Sequence, residues 1–304
     1  MYFLRRLAFM APLLLFISFL AFCLVHLAPG GPFDKERKPA SPEIERALQA
    51  KYHLDEPLLR QYLRFLGGLA HGDFGASLKY RNHSVTDIIA QGLPVSLTLG
   101  LLAFAFAIGI GIPAGIYTAV RRGHWQDFGG SLLALLAICV PGFVIGPILI
   151  VVLAIHWRWF PVALWGGPLN VILPTLSLGI YFAGKIERLM HEGMTQTLQL
   201  EFINAARAKG LSESAILWKH AFRLAILPVV SYLGPLLADL LTGSFVVENI
   251  FQIPGIGVFM VNSSLSRDYP MVVGLVLLYA ILLVVLNLAV DVSYAWLDPR
   301  VRHE

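Results

Sequence analysis

Charge is what this chain has least of. Only 14% of its 304 residues are Asp, Glu, Lys or Arg, where a soluble domain carries roughly a quarter. With 57% hydrophobic residues and a mean hydropathy of +0.70, the composition points away from a soluble domain and towards a polytopic membrane protein. The net charge of +4 is no nucleic-acid signature, because the basic residues sit mainly at the ends of apolar runs and not in one patch. Cysteine is nearly absent. Cys23 and Cys139 both fall inside apolar runs with no CxxC or metal spacing, and read as lipid-buried thiols. No GxxxxGK(S/T) phosphate loop occurs, so this polypeptide is not expected to hydrolyse ATP. No HExxH or clustered histidine pattern suggests a metal site, and no GxGD suggests an intramembrane enzyme.

What the chain has is long apolar runs. A spanning helix needs ~20 mostly apolar residues, and six stretches qualify: about 7–28, 94–119, 130–155, 170–190, 224–247 and 271–297. The first is longer than the apolar part of a signal peptide and has no A-x-A site before Leu27-Ala28-Pro29-Gly30, so it reads as a retained span. The fourth is the weakest, with Lys185 and Glu187 near its end. Lys/Arg asymmetry sets orientation. With the N-terminus inside, the cytoplasmic pieces hold Arg5, Arg6, Arg121, Arg122, Lys185, Arg188, Arg207, Lys209, Lys219, Arg223, Arg300 and Arg302; the short external pieces hold Arg158 and Arg267. Both termini are expected in the cytoplasm. His156, Trp157 and Trp159 read as an outer interfacial belt, and Gly109, Gly111 and Gly115 as a close helix contact.

The segment 29–93 then lies outside and is expected to fold as a helical cap. It carries nine Lys/Arg and eight Asp/Glu, but a segment this long is largely exempt from the charge rule. Ser41-Pro42-Glu43 offers the start of one helix, with Ile44, Ala47 and Leu48 on a face. A second follows Pro57, with Leu58, Leu59, Tyr62, Leu63 and Leu66, and is expected to stop at Gly67-Gly68.

Between spans four and five a polar loop of about 191–223 holds Asn204-Ala205-Ala206-Arg207-Ala208-Lys209-Gly210. One helix is expected from roughly Thr195 to Lys209, ending at Gly210, which tolerates the left-handed conformation that a sharp reversal needs. Ser212 can cap a second, with Glu213 in its first turn, which leads through His220 and Arg223 to a kink at Leu227-Pro228. Ala205 and Ala206 would let another protein approach the helix backbone closely. Such a loop either docks on a soluble partner or lies on anionic lipid through Arg207, Lys209 and Lys219.

This loop resembles the coupling motif of bacterial ABC-importer permeases. The resemblance extends through Leu211, Lys219-His220-Ala221, Pro254-Gly255-Ile256-Gly257, Arg267-Asp268-Tyr269-Pro270 and Leu297-Asp298-Pro299-Arg300, with Leu27-Ala28-Pro29-Gly30 and Gly72-Asp73-Phe74-Gly75 earlier. This ordered set is similar to the B-type permease subunit of oligopeptide and dipeptide importers. Pro32-Phe33, Glu36-Arg37 and Lys51-Tyr52-His53-Leu54 look most like the oligopeptide branch. Asn204 departs from the general motif's leading Glu, and His220-Ala221-Phe222-Arg223 from its Ile-x-Leu-Pro ending, so the contacts of that Glu are not carried over to this chain.

The resemblance implies an all-α fold, the type I ABC importer permease: a first transmembrane helix (1–28), an extracytoplasmic helical insertion (29–93), and a core of five further transmembrane helices with a cytoplasmic coupling helix (94–304). It implies ATPase coupling through Asn204, Ala205, Ala206, Arg207, Lys209, Gly210, Leu211 and His220. The implied partners are a homologous C-type permease subunit forming a heterodimer, two cytoplasmic ATPase subunits carrying ATP and Mg, an extracytoplasmic peptide-binding protein, the peptide substrate and the membrane, with no nucleic acid. No cofactor is expected in this chain itself.

Polar residues in the spans are candidates for the path. Ser231, Pro235, Asp239 and Thr242 form one helical stripe, on which Asp239 could attract a peptide's ammonium group or be satisfied structurally. Asn287, Asp291 and Tyr294 form another, with a structural partner expected for Asp291 near the cytoplasmic end. A dipeptide, a nickel chelate or another small solute is the alternative cargo. A stand-alone secondary carrier would favour an inverted repeat, and none is visible.

Overall fold

The computed structural model describes residues 2–27, 49–80 and 82–297, and side chains except at 2–9, 242–243 and 289–297. The expected cap helix from Ser41 (Ile44, Ala47, Leu48) lies outside the described residues, as do Pro29-Gly30, Asp298-Pro299-Arg300 and the side chains of Thr242, Asp291 and Tyr294. The described chain is built of helices, with no β-strand and one isolated antiparallel bridge between Ala76 and Ser84. In order these are α1 (Tyr2–Leu27), α2 (Leu58–Leu69), α3 (Val85–Val120), α4 (Trp125–Cys139), α5 (Gly142–His156), α6 (Ile172–Thr197), α7 (Glu201–Ala208), α8 (Glu213–Ala225), α9 (Leu227–Ile250), α10 (Ile256–Ser266) and α11 (Tyr269–Leu297).

Two compact units emerge, residues 1–96 with 254–285 and residues 97–253 with 286–304. In the first, α2 docks on α1: Tyr62 packs against Ala21, Phe22 and Val273, and its hydroxyl meets Ser18 Oγ at 2.9 Å. A second cluster joins Val85, Ile88 and Ile89 to Ile256, Met271, Leu275 and Leu278. The α2 expectation needs two corrections. Leu58, Leu59 and Leu63 of the proposed apolar face are exposed, and the helix runs through Gly67-Gly68 to Leu69. Gly68 is there for close approach: a Cβ would lie 2.9 Å from the Asp73 carbonyl oxygen. The turn at 77–79 is tied down by Asp268, fully buried, which accepts from the Ser77 hydroxyl and the amides of Leu78 (3.1 Å), Lys79 (3.3 Å) and Met271 (3.4 Å).

The second unit is arranged around α6. Gly179 meets Phe106 and Ala103 of α3, and Gly184 meets Ala134 of α4. Gly111 and Gly115 of α3 bring its backbone against α6: a Cβ at Gly115 would sit 2.5 Å from the Glu187 carbonyl oxygen, whereas at Gly109 it would meet nothing. Two of the three glycines thus serve the contact expected of them. Because α6 is covered by protein, its surface need not be as apolar as a lipid-facing helix, and it begins and ends later than the expected 170–190.

Among the described residues three helices are long and apolar enough to cross a membrane alone, or up to five if each of two bent pairs is one span. The expected third span, 130–155, is one of those pairs, α4 and α5 meeting at 103°. Pro141 has no N–H and pushes Val140 into an extended conformation (ψ 118), which ends α4. The other pair, α8 and the first part of α9, bends by 49° at the expected Leu227-Pro228 kink.

Candidate coupling loop and intramembrane polar site

The loop after α6 is a capped elbow. It begins later than expected, since α6 continues to Thr197 and Leu198–Leu200 separate it from α7. The single helix expected over 195–209 is therefore the end of one helix and the whole of another. Gly210 adopts φ +80. Its amide donates to the Arg207 carbonyl (2.9 Å) and that of Leu211 to the Ala206 carbonyl (3.3 Å), the paired bonds of a Schellman ending. Ser212 Oγ then accepts from the Ala215 amide, capping α8 with Glu213 in its first turn. Across the reversal Arg207 holds Glu213 through two bonds, 2.9 and 3.3 Å. That hydrogen bond keeps the Glu213 carboxyl below the ordinary carboxylate range and the Arg207 guanidinium above its usual value. A π-helical winding follows over Ile216–Ala221.

The elbow is fastened to α6. A Cβ at Gly193 would lie 2.4 Å from the Ala225 carbonyl oxygen, so the two helices touch backbone to backbone. Asn204, Ala205, Arg207, Lys209, Gly210 and Leu211 are exposed, and His220 is half-buried on α8. Ala206 differs from the expectation: it is buried beside Ile203 and faces inward, because the apolar side of α7 has to pack. Of the pair, Ala205 alone offers a small outward contact. Phe202 and Trp218, the latter 56% exposed, were not singled out from sequence, although lone aromatics in a polar loop were the available signal.

Within the membrane-facing helices, Ser231, Pro235 and Asp239 share an exposed face of α9, while Asn287 is half-buried on α11. Lys185 and Glu187 point to different sides of α6. Glu187 is buried and accepts from Thr118 Oγ1 at 2.8 Å, whereas Lys185 Nζ lies over the Tyr181 ring, 4.5 Å from its centroid. Glu248, missed from sequence, is fully buried and accepts from Ser244 Oγ at 2.7 Å.

Within the second unit apolar helices pack around α6, with the capped elbow at its end, and the long apolar helices define a multi-pass membrane protein. Residues 111–303 match the model of the binding-protein-dependent transport system inner membrane component. The oligopeptide transport system permease protein OppB of Haemophilus influenzae is 42% identical over 98% of both chains. The dipeptide transport system permease protein DppB of Bacillus subtilis is 40% identical over 99% of this chain and 97% of its own, and OppB of Escherichia coli K12 is 40% identical over 99% and 98%. The chain belongs to the binding-protein-dependent transport system inner membrane component family. In fold it is similar to the inward-facing MetNI methionine ABC transporter (TM-score 0.59, 18% identity, 69% of this chain and 96% of that one). An amino acid ABC transporter with histidines is similar at TM-score 0.51 and 16% identity, covering 68% and 93%.

Proposed function

We propose that this chain is the non-catalytic permease subunit of an ATP-driven importer, forming half of the path for oligopeptides delivered by an extracytoplasmic binding protein. The observation that carries the reading is the elbow after α6, whose geometry makes α7 a rigid handle on the bundle. A partner that moves α7 moves α6, since Gly193 leaves no slack between α6 and α8. The names of relatives that align over almost the whole chain support the cargo class. A dipeptide carrier is the second reading, favoured by the 40% identity to a dipeptide permease.

In this reading α1, α3, the α4–α5 pair, α6, α9 and α11 are six spans with both termini in the cytoplasm. Residues 29–93 form the outer cap and 94–304 the permease core. A homologous C-type permease completes the path, and two ATPase subunits holding ATP and Mg grip α7 through Asn204, Ala205, Arg207, Lys209, Gly210 and Leu211. Ala206 and His220 support that surface from within. Ser231, Asp239 and Asn287 line the path; Thr242 and Asp291, whose side chains lie outside the described residues, belong to the same two stripes by sequence. Nucleotide inside and loaded binding protein outside each bias a two-state bundle by their differential affinity.

The test is co-purification and uptake for wild type and Ala205→Trp. The wild type should bring down a second permease and two ATPase subunits and support ATP-dependent peptide uptake. The variant should keep the permease partner and lose the ATPases. A wild-type chain that purifies alone and moves solute without ATP would overturn the reading.

A further inference from the structure

The side of α6 that faces neither α3 nor α4 carries a cation held between two rings. Lys185 Nζ stands 4.5 Å from the centroid of Tyr181 and 5.7 Å from that of Tyr232 on α9. The Tyr232 hydroxyl is buried beside the Lys185 ammonium. Asp239, two turns further along α9, is near enough to act electrostatically on Tyr232, as Lys185 is. Two opposite charges and a buried hydroxyl are thus grouped at one face of an otherwise apolar bundle.

A lysine serving only as an orientation signal would stretch its ammonium towards the headgroups. In the proposed orientation that direction is towards Arg188 and the C-terminal end of α6. Lys185 instead leans back one turn, over Tyr181. Retaining a charge within a membrane span is costly, and ring faces offset part of that cost by attracting the cation. The rings hold the ammonium in place without neutralising it, so its charge stays available to an anionic group.

We propose that Lys185, positioned by Tyr181 and Tyr232, is a substrate-facing residue that receives the C-terminal carboxylate of a peptide in transit, with Asp239 favouring its ammonium end. The inference rests on the permease reading above. Lys185 and Asp239 together select zwitterionic chains, and Tyr232 offers its hydroxyl to the carboxylate or to a main-chain carbonyl.

The experiment uses the whole importer in membrane vesicles, with ATP inside and the same binding protein throughout. Uptake of trialanine and of trialanine amide is measured for wild type, Lys185→Met and Lys185→Arg, normalised to assembled complex. Any preference of the binding protein cancels when the acid-to-amide ratio is compared between permease variants. The ratio should fall about tenfold in Lys185→Met, equivalent to about 1.4 kcal/mol, and be largely kept in Lys185→Arg. Acid and amide falling together in Lys185→Met, or the ratio holding, would overturn the role of Lys185 and leave the permease reading standing. Absence of ATP-dependent uptake of either peptide by the wild type would overturn both.

Discussion

Asp268 shows how much one carboxylate can organise. Fully buried, it accepts from the Ser77 hydroxyl and three backbone amides, capping α11 and closing the turn at 77–79 together. Asp268→Ala would strand these donors, and each buried unsatisfied donor costs about 1–3 kcal/mol. A loss of several degrees in the melting temperature of the purified complex is the expected outcome; an unchanged melt would show the turn is held elsewhere. The Arg207–Glu213 pair makes a pH prediction. Because the Glu213 carboxyl is held low by its arginine, the pair supports the elbow above the ordinary carboxylate range and stops doing so as pH falls through the lowered value. Glu213→Gln should speed hydrogen exchange of the Ala215 amide near pH 7, and the difference should shrink as pH falls through the lowered value of the carboxyl. The cap at Ser212 and the left-handed Gly210 were legible in sequence because both are local chemistry. The inward turn of Ala206 was not, since it depends on what α7 packs against.

At the scale of elements, backbone contact decides the arrangement. Gly115→Ala would force a methyl onto the Glu187 carbonyl and Met190, an overpacking of about 1–3 kcal/mol. Gly109→Ala meets open space and removes a helix glycine, so it should be neutral or stabilising by up to ~1 kcal/mol. Parallel melts of the two complexes separate these outcomes, and equal effects would remove α3–α6 contact as the explanation. Hydrophobic length located most helices. It could not reveal the 103° turn between α4 and α5, because Val140-Pro141 interrupts a run that is apolar on both sides. It also misjudged α2, where Gly68, a residue type that usually ends helices, makes room for Asp73 instead.

For the molecule as a whole, sidedness is the measurable claim. With Cys23 and Cys139 replaced by serine, a cysteine at exposed Ser214 should react with an impermeant thiol reagent only from the cytoplasmic side, and one at exposed Arg60 only from outside. Labelling of both from one side would refute the six-span topology. The stripe of Ser231, Pro235 and Asp239 could be read from helical spacing. The significance of Lys185, Glu187 and Glu248 could not, because it depends on which helices surround α6 and α9. That crowding around α6 also bears on how the protein is made. A helix carrying Lys185, Glu187 and Arg188 has little tendency to leave the insertion machinery for lipid alone. It would partition as a companion of α3 and α4, whose glycine-lined and alanine-lined grooves already await it, so a nascent chain ending at Thr197 would integrate α6 only when those two helices precede it.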